Sequence, residues 1–558
     1  MQVVIPMSGF GERFRRAGYA VPKPLIEIDG KPIIGHVIDM FPGEHDFIFI
    51  CNEEHLQCSD YDMRGVLQQL CPTGRVVGIA SHKLGPVHAV QQVESLIDPQ
   101  RPVVLNYCDF TCLWDWAHFK AFVRASACDG AIPAYKGFHP HTLGTTNYAY
   151  MREAGGQVLE IQEKQPFTDD RMNEYASSGT YYFRSGEVMK QALAEARRRE
   201  LKVNGEFYVS LAYKPMLDAG QDVRVYALQH FMQWGTPEDV AEYRGWSDAF
   251  RALQQDCVSE PKTSAGAVVV PMAGMGQRFA REGYVQTKPL IPVSGRAMVL
   301  QATNDLPRAR QHAFVLRTDM PGRDDIGHAL RNAYPGAVLR DVPHVTEGQA
   351  CSAELGLQAL VERLGEVAGP ITFGACDNGA LYDREAFDQL MKRTDVDVVV
   401  WVARGHANAV RHPQMFGWVD ADETGLIRWV SVKQPLAQPA SDPIVIGTFT
   451  FKQQNQFEKS LKRLIEQNDR INGEFYLDSA VNHALTLGLR CHVFEVDHFF
   501  SWGTPNDLRS FEYWQSCFDK WPSHPYSLER DHRVPAEAVQ SLRARQAWVH
   551  PAPQDLVA

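Results

Sequence analysis

The sequence predicts two α/β domains in tandem, each a mixed, mostly parallel sheet flanked by helices. Three observations predict it. The same landmarks occur twice in the same order, short β-branched apolar runs alternate with helix-like stretches, and glycine-rich or charged motifs stand at the ends of those runs.

The repeat sets the organisation. PMSGFGERF at Pro6 returns as PMAGMGQRF at Pro271, and KPLI at Lys23 returns at Lys288 with the same offset. NGEFY (Asn204, Asn472), WGTP (Trp234, Trp502), the HF pair (His230, His498) and an aspartate closing an apolar run (Asp109, Asp377) all recur at a second, slightly longer offset common to the four. A drift this small is what loop insertions produce. The 558 residues therefore divide into a first copy, 1–255, a polar linker, 256–266, a second copy, 267–521, and a tail, 522–558, whose prolines and polar residues predict loose packing.

Within the first copy QVVIP, DFIFIC, RVVGIA and PVVLNY read as strands, and PVHAVQQVESLI between two of them reads as a helix. Continuous apolar runs of this kind suit strands covered on both faces. In such folds ligands bind beyond the carboxyl ends of the strands, which is where the motifs fall.

Composition narrows the function classes. Hydrophobic residues make up 44% and charged residues 22%, ordinary for a globular protein. A net charge of −11 opposes general nucleic-acid binding, which needs a positive field. No apolar run approaches the roughly 20 residues of a membrane span, and the N-terminal MQVVIPMSGFGERF reads as a strand, so neither nucleic acid nor membrane is an expected partner. The eleven cysteines contain no CxxC pair, which argues against zinc and suits a reducing cytoplasm. A homo-oligomer is left open.

The first strand runs into Met7-Ser8-Gly9-Phe10-Gly11-Glu12-Arg13. Gly9 and Gly11 let the backbone turn tightly and present N–H groups to an anion, and Arg13 adds a planar fork of donors. Lys23 follows between two prolines that hold it extended. The second copy repeats Gly274, Gly276, Arg278 and Lys288. By itself GxGxR is a tight strand-to-helix turn; the spacing to the lysine and its repetition make it a phosphate site. The third glycine of a dinucleotide fingerprint and the GK[ST] of a P-loop are both missing.

GxGxRF followed by PKPL resembles the sugar-phosphate nucleotidyltransferase superfamily, and the resemblance covers nearly all of both copies. It implies a Rossmann-like, GT-A-like fold and catalytic roles for Arg13, Lys23, Arg278 and Lys288 on the NTP phosphates. It implies that Asp109 and Asp377 hold Mg²⁺; an ordinary turn or helix-cap aspartate is the plain alternative. Gln162-Glu163-Lys164-Gln165-Pro166 resembles the family's EKP motif, with Lys164 on the acceptor phosphate and Glu163 on sugar hydroxyls. The second copy keeps Lys433 but has Val432 in place of the glutamate, so it is expected to take a different acceptor, or none. Gly85, and Gly348 with Gln349, fall where the family approaches the base. Glu206 and Glu474 fall where it contacts the acceptor, with Asn204 and Asn472 otherwise read as helix caps. Both copies lack the family's second metal aspartate, Gln233 and Ser501 standing there, with His230 and His498 as nearby substitutes.

The resemblance thus implies a cytoplasmic, Mg²⁺-dependent enzyme. It would condense an NTP with a sugar 1-phosphate or similar phosphorylated small molecule, in the supply of capsule or lipopolysaccharide precursors. Two alternatives stand beside it. One is a GT-A glycosyltransferase, which would normally show a DxD motif that neither Asp109 nor Asp377 begins. The other is one active copy fused to a non-catalytic, nucleotide-sensing copy.

Overall fold

The computed structural model describes residues 1–145, 147–254 and 264–548. These gather into two compact units. The first is Met1–Ser247 with Lys520–His524 and the described residues from Gln546; the second is Asp248–Asp519 with Pro525–Arg545. Both are α/β, with mixed sheets.

In the first unit the strand Gln2–Met7 is buried along its whole length. It lies between Asp46–Asn52 and Val103–Asn106, parallel to both, and Arg75–Ile79 continues the parallel set. Helices cover this sheet because its strands carry apolar residues on both faces. One is Gly186–Arg198, capped by the Ser185 side chain, which accepts from the Val188 N–H at 3.2 Å. Its Met189, Ala192, Leu193 and Ala196, at helical spacing, join a core with Val4, Ile48 and Leu105.

The expectation of a mostly parallel sheet holds only for this half. Thr180–Phe183 pairs antiparallel with Val103–Asn106, and Ala149–Ala154 with Gln157–Glu163 forms an antiparallel hairpin. Apolar runs disclose burial but not strand direction, and the connection to Gln157 is too short for a parallel crossover. The second unit follows the same plan. Ser264–Pro271 is parallel to Ala309–Arg317 and to Ile371–Phe373, and Ile444–Phe451 pairs antiparallel with Ile371–Phe373.

Two boundary expectations need correction. Residues 256–263 of the expected linker lie outside the described residues, but 264–266 belong to a strand. Gly266, read as a linker glycine, has φ +122 and lies where a Cβ would meet the Pro370 carbonyl oxygen at 2.1 Å. The tail, expected to pack loosely, is embedded in the second unit over Pro525–Arg545. Tyr526, Leu528 and Val534 are buried there, and the guanidinium of Arg533, wholly buried, donates to Asp305 at 2.8 Å and stacks on Phe500. Its scattered apolar residues supply the burial that its polar composition concealed. Among the described residues no helix is long and apolar enough to cross a membrane.

Candidate active site

In the first unit the strand ends converge on one cleft of about 660 Å³. Gly9, Gly11, Arg13, Lys23, Gly85, Asp109, Glu163, Lys164 and Glu206 all line it. Every site residue expected in this copy therefore lies on a single cavity.

The phosphate loop leaves the buried first strand at Met7. Gly11 caps the short helix Glu12–Arg16 at φ +63, and a Cβ there would stand 3.9 Å from Lys23, so the loop and the lysine lie side by side. Lys23 donates to Asp109 at 2.9 Å. Burial pulls the lysine's pKa down, but the charge of Asp109, the neighbouring Cys108 and the hydrogen bond outweigh it, so Lys23 ends above the ordinary lysine value. It is a fixed cation.

Asp109 is placed by the two-stranded ribbon of Phe110–Leu113 with His230–Gln233. The Trp234 N–H donates to the Asp109 carbonyl at 2.8 Å, which brings Gln233 to the aspartate's side. Gln233 donates through Nε2 to Asp239 at 2.7 Å, and its Oε1 is buried with no hydrogen-bond partner among the described residues. His230 pairs with Leu113 at the far end of the ribbon and does not line the cleft, so it does not replace the missing carboxylate. His498 likewise pairs with Leu381, at the other end of its ribbon from Asn378 and Ser501.

The acceptor side is built by a hairpin and a turn. Glu163 ends the strand Gln157–Glu163 opposite Ala149, and Lys164 follows at φ +60, held by its N–H to the Tyr148 carbonyl at 2.8 Å. Ser210 donates to Glu163 at 2.6 Å. Burial raises the Glu163 carboxyl to about 6, opposed by Ser210 and Lys164 and assisted by Glu206. Lys164 donates to the Tyr208 hydroxyl, which donates to Glu206. Tyr208 therefore links Lys164 and Glu206.

Asn204 and Gly205 have φ +53 and +82 and close a bridge between Val203 and Glu206. This is a two-residue turn of the Asn-Gly kind, not the helix cap considered for Asn204; Asn472 and Gly473 repeat it. Gly85 supports the same segment. A Cβ there would stand 2.7 Å from the Phe207 carbonyl oxygen and 2.8 Å from its nitrogen, at φ +87. Gly348 meets Phe475 in the same way, at 2.4 and 2.5 Å, and Gln349 opens the helix Gln349–Leu364 behind it.

The second unit assembles the matching groups. Lys288 donates to Asp377 and contacts the Gly503 carbonyl at 3.3 Å. The Cβ position on Gly276 lies 3.2 Å from that of Lys288. Lys433 stands at φ +61; burial lowers its pKa, and the charges of Asp478, Arg278 and Glu474 act on it as well. A buried arginine from the sheet, Arg317, donates to the Gly274 carbonyl at 2.6 Å and the Ala273 carbonyl at 3.1 Å, clamping the phosphate loop.

Sequence reasoning missed Tyr208, Ser210, the buried Gln233 oxygen and Arg317. Tyr208 carried a signal, since it recurs as Tyr476 inside the repeated NGEFY. Arg317 carried none, because its copy-one counterpart, at the offset that relates the two phosphate loops, is Asn52.

Residues 2–248 match the family model described as nucleotidyl transferase. The match spans nearly the whole of the first unit's main segment, Met1–Ser247. The chain is 23% identical over 283 residues to the mannose-1-phosphate guanylyltransferase catalytic subunit beta of Dictyostelium discoideum, covering 48% of this chain and 71% of that protein. It is 25% identical over 241 residues to the bifunctional protein GlmU of Paraburkholderia xenovorans, covering 42% of this chain and 48% of that protein. The chain thus spans about half the length of that GlmU relative. A solved nucleoside-diphosphate-sugar pyrophosphorylase from Vibrio cholerae RC9 is 18% identical, with a TM-score of 0.37, covering 44% of this chain and 98% of that one. The matched segment contains the whole converging set from Gly9 to Glu206.

Proposed function

We propose that the first unit condenses an NTP with a sugar 1-phosphate, or a phosphorylated small molecule of like shape, giving an NDP-activated product and pyrophosphate. The observation that carries this is the convergence of Arg13, Lys23 and Asp109 with Lys164, Glu163 and Glu206 on one cleft. One end of the set suits a triphosphate, the other a hydroxylated phosphate.

The acceptor's phosphate is already an anion, so no general base is needed. Its oxygen attacks the α-phosphorus, the new O–P bond forms as the bond to the β-phosphate oxygen breaks, and pyrophosphate leaves with that electron pair. Lys23 and Arg13 stabilise charge on the α-phosphate and the leaving group. Lys164, steadied by Tyr208, holds the attacking phosphate in line, and Glu163 accepts from acceptor hydroxyls.

Mg²⁺ fits this chain's residues. Asp109 lines the cleft together with Gln233, whose buried Oε1 has no hydrogen-bond partner among the described residues and is a neutral oxygen donor where the second carboxylate is missing. The ion would neutralise triphosphate charge; the remaining positions suit phosphate oxygens and water. The second unit, with Arg278, Lys288, Asp377 and Lys433, performs a reaction of the same class. The guanylyltransferase likeness favours a sugar 1-phosphate as acceptor and a nucleotide sugar as product.

Lys23→Ala and Lys288→Ala, made separately and together, test this by pyrophosphate release from a matrix of NTPs and phosphorylated acceptors. Each single variant is expected to lose one set of substrates and the double to lose all. Near-normal release from the double variant would sink the proposal.

A further inference from the structure

The second unit lacks the acceptor glutamate on its hairpin, yet three positions there have changed together. In the first unit Ala149 faces Glu163 across the hairpin, and Ser210 donates to that glutamate at 2.6 Å. The counterparts are Gly417, Val432 and Asp478. Gly417 faces Val432 across the matching hairpin, and Asp478 follows the second NGEFY at the position that Ser210 holds after the first. The carboxylate has left the strand and reappeared on the helix Leu477–Thr486.

The glycine explains how it fits. A Cβ on residue 417 would stand 2.0 Å from Asp478 Oδ1, so the alanine of the first unit does not fit with the aspartate in this position. Asp478 thus lies over the same rung of the hairpin from which Glu163 springs, next to Lys433, which follows Val432. Asp478 is buried, and burial raises its pKa against the opposing charge of Lys433. An aspartate in the first turn of a helix needs no function, since the helix dipole alone favours it. That reason, however, requires neither Gly417 nor Val432 to change.

We propose that Asp478 is the acceptor-binding carboxylate of the second unit, so that this unit takes a hydroxyl-bearing phosphate monoester rather than none. Because the carboxylate approaches from the helix instead of the strand, it reads a different hydroxyl from the one Glu163 reads, and the two units select different acceptors. This rests on the nucleotidyl-transfer reading of the second unit.

The test uses full-length Lys23→Ala protein, which silences the first unit. Pyrophosphate release is measured with each NTP against glucose 1-phosphate, mannose 1-phosphate, glycerol 3-phosphate and phosphocholine, the last having no hydroxyl on its choline. The expected acceptor carries hydroxyls. Asp478→Asn, which keeps the shape, is expected to lower kcat/KM for it roughly 10- to 100-fold, the worth of a hydrogen bond to a charged group, with the KM for NTP unchanged. The graft Gly417→Ala/Val432→Glu/Asp478→Ser is expected to move the preference to that of the first unit. Turnover that requires Lys288 but ignores Asp478, or that prefers phosphocholine, overturns this inference alone. Silence with every acceptor overturns the nucleotidyl-transfer reading of the second unit, and this inference with it.

Discussion

Gly85→Ala separates two reasons for a glycine at the mouth of the cleft. Gly85 has φ +87 and ψ 176, a region that is essentially restricted to glycine and costs other residues about 1–3 kcal/mol. The added methyl also meets Phe207 backbone atoms at 2.7 and 2.8 Å, and backbone cannot swing aside as a flexible side chain can. Two hydrogen bonds bracket this contact, Phe207 N–H to the Leu84 carbonyl at 2.9 Å and Val87 N–H to the Phe207 carbonyl at 3.2 Å. Losing either adds about 1 kcal/mol. The local cost is therefore about 2–4 kcal/mol, enough to displace the turn that carries Glu206 and Tyr208. Gly205→Ala is the control: its φ is +82 but nothing lies within 4 Å, so only the backbone cost of about 1–2 kcal/mol applies. With the second unit silenced by Lys288→Ala, Gly85→Ala should lower kcat/KM for the acceptor roughly 100-fold or more and lower the melting temperature, while Gly205→Ala stays close to the parent. If Gly85→Ala melts like the parent and raises only the KM for NTP, the glycine serves the base and the Phe207 argument is wrong.

Two further outcomes are expected. Because the Glu163 carboxyl is raised to about 6, the folded state binds its proton more tightly than the unfolded chain does. Its stability contribution is therefore fully present below about pH 4.5 and falls by about 2 kcal/mol as pH rises through 6. Acceptor kcat/KM moves the opposite way, rising through the same pH because the ionised form accepts the hydroxyl. In Glu163→Gln both inflections attributable to this residue should vanish from melts and pH–rate profiles, leaving only the acceptor phosphate's own titration. In the second unit, Arg533→Met strands a buried Asp305 and should cost about 3–5 kcal/mol in denaturant unfolding. Adding Asp305→Asn should recover much of it, because the amide oxygen can still accept from the Ala380 N–H that Asp305 binds at 3.1 Å. A double variant no more stable than the single would refute that account.

What the sequence disclosed follows from how each residue acts. Gly11, Lys23 and Asp109 act at strand ends, through backbone geometry or a single charge, and such residues recur at fixed offsets that a repeat search finds. Asn204-Gly205 is a turn signal on its face, and reading it as a helix cap overlooked that Asn-Gly supplies two positive φ values in a row. Gln233, Ser210 and Arg317 act across elements far apart in the chain, so their meaning depends on a ribbon or a rung that no local pattern displays. Direction of pairing was illegible for the same reason. The run TYYF looks as apolar as VVLN, yet it enters the sheet antiparallel to it.

The two units also show which half of such a site is free to change. An NTP offers the same phosphates whatever it is joined to, so on the proposed reading the loop arginine, the lysine of KPL and the strand-end aspartate have little room to differ, and all three stand in both copies. The acceptor end answers to the molecule it must recognise. There Ala149, Glu163 and Ser210 have become Gly417, Val432 and Asp478, while Lys164 persists as Lys433. On the proposed reading the lysine meets the phosphate that every acceptor brings, and the carboxylate meets what differs. With Asp478 placed as it is, a methyl on residue 417 would meet its Oδ1, so Gly417 and this position of Asp478 go together.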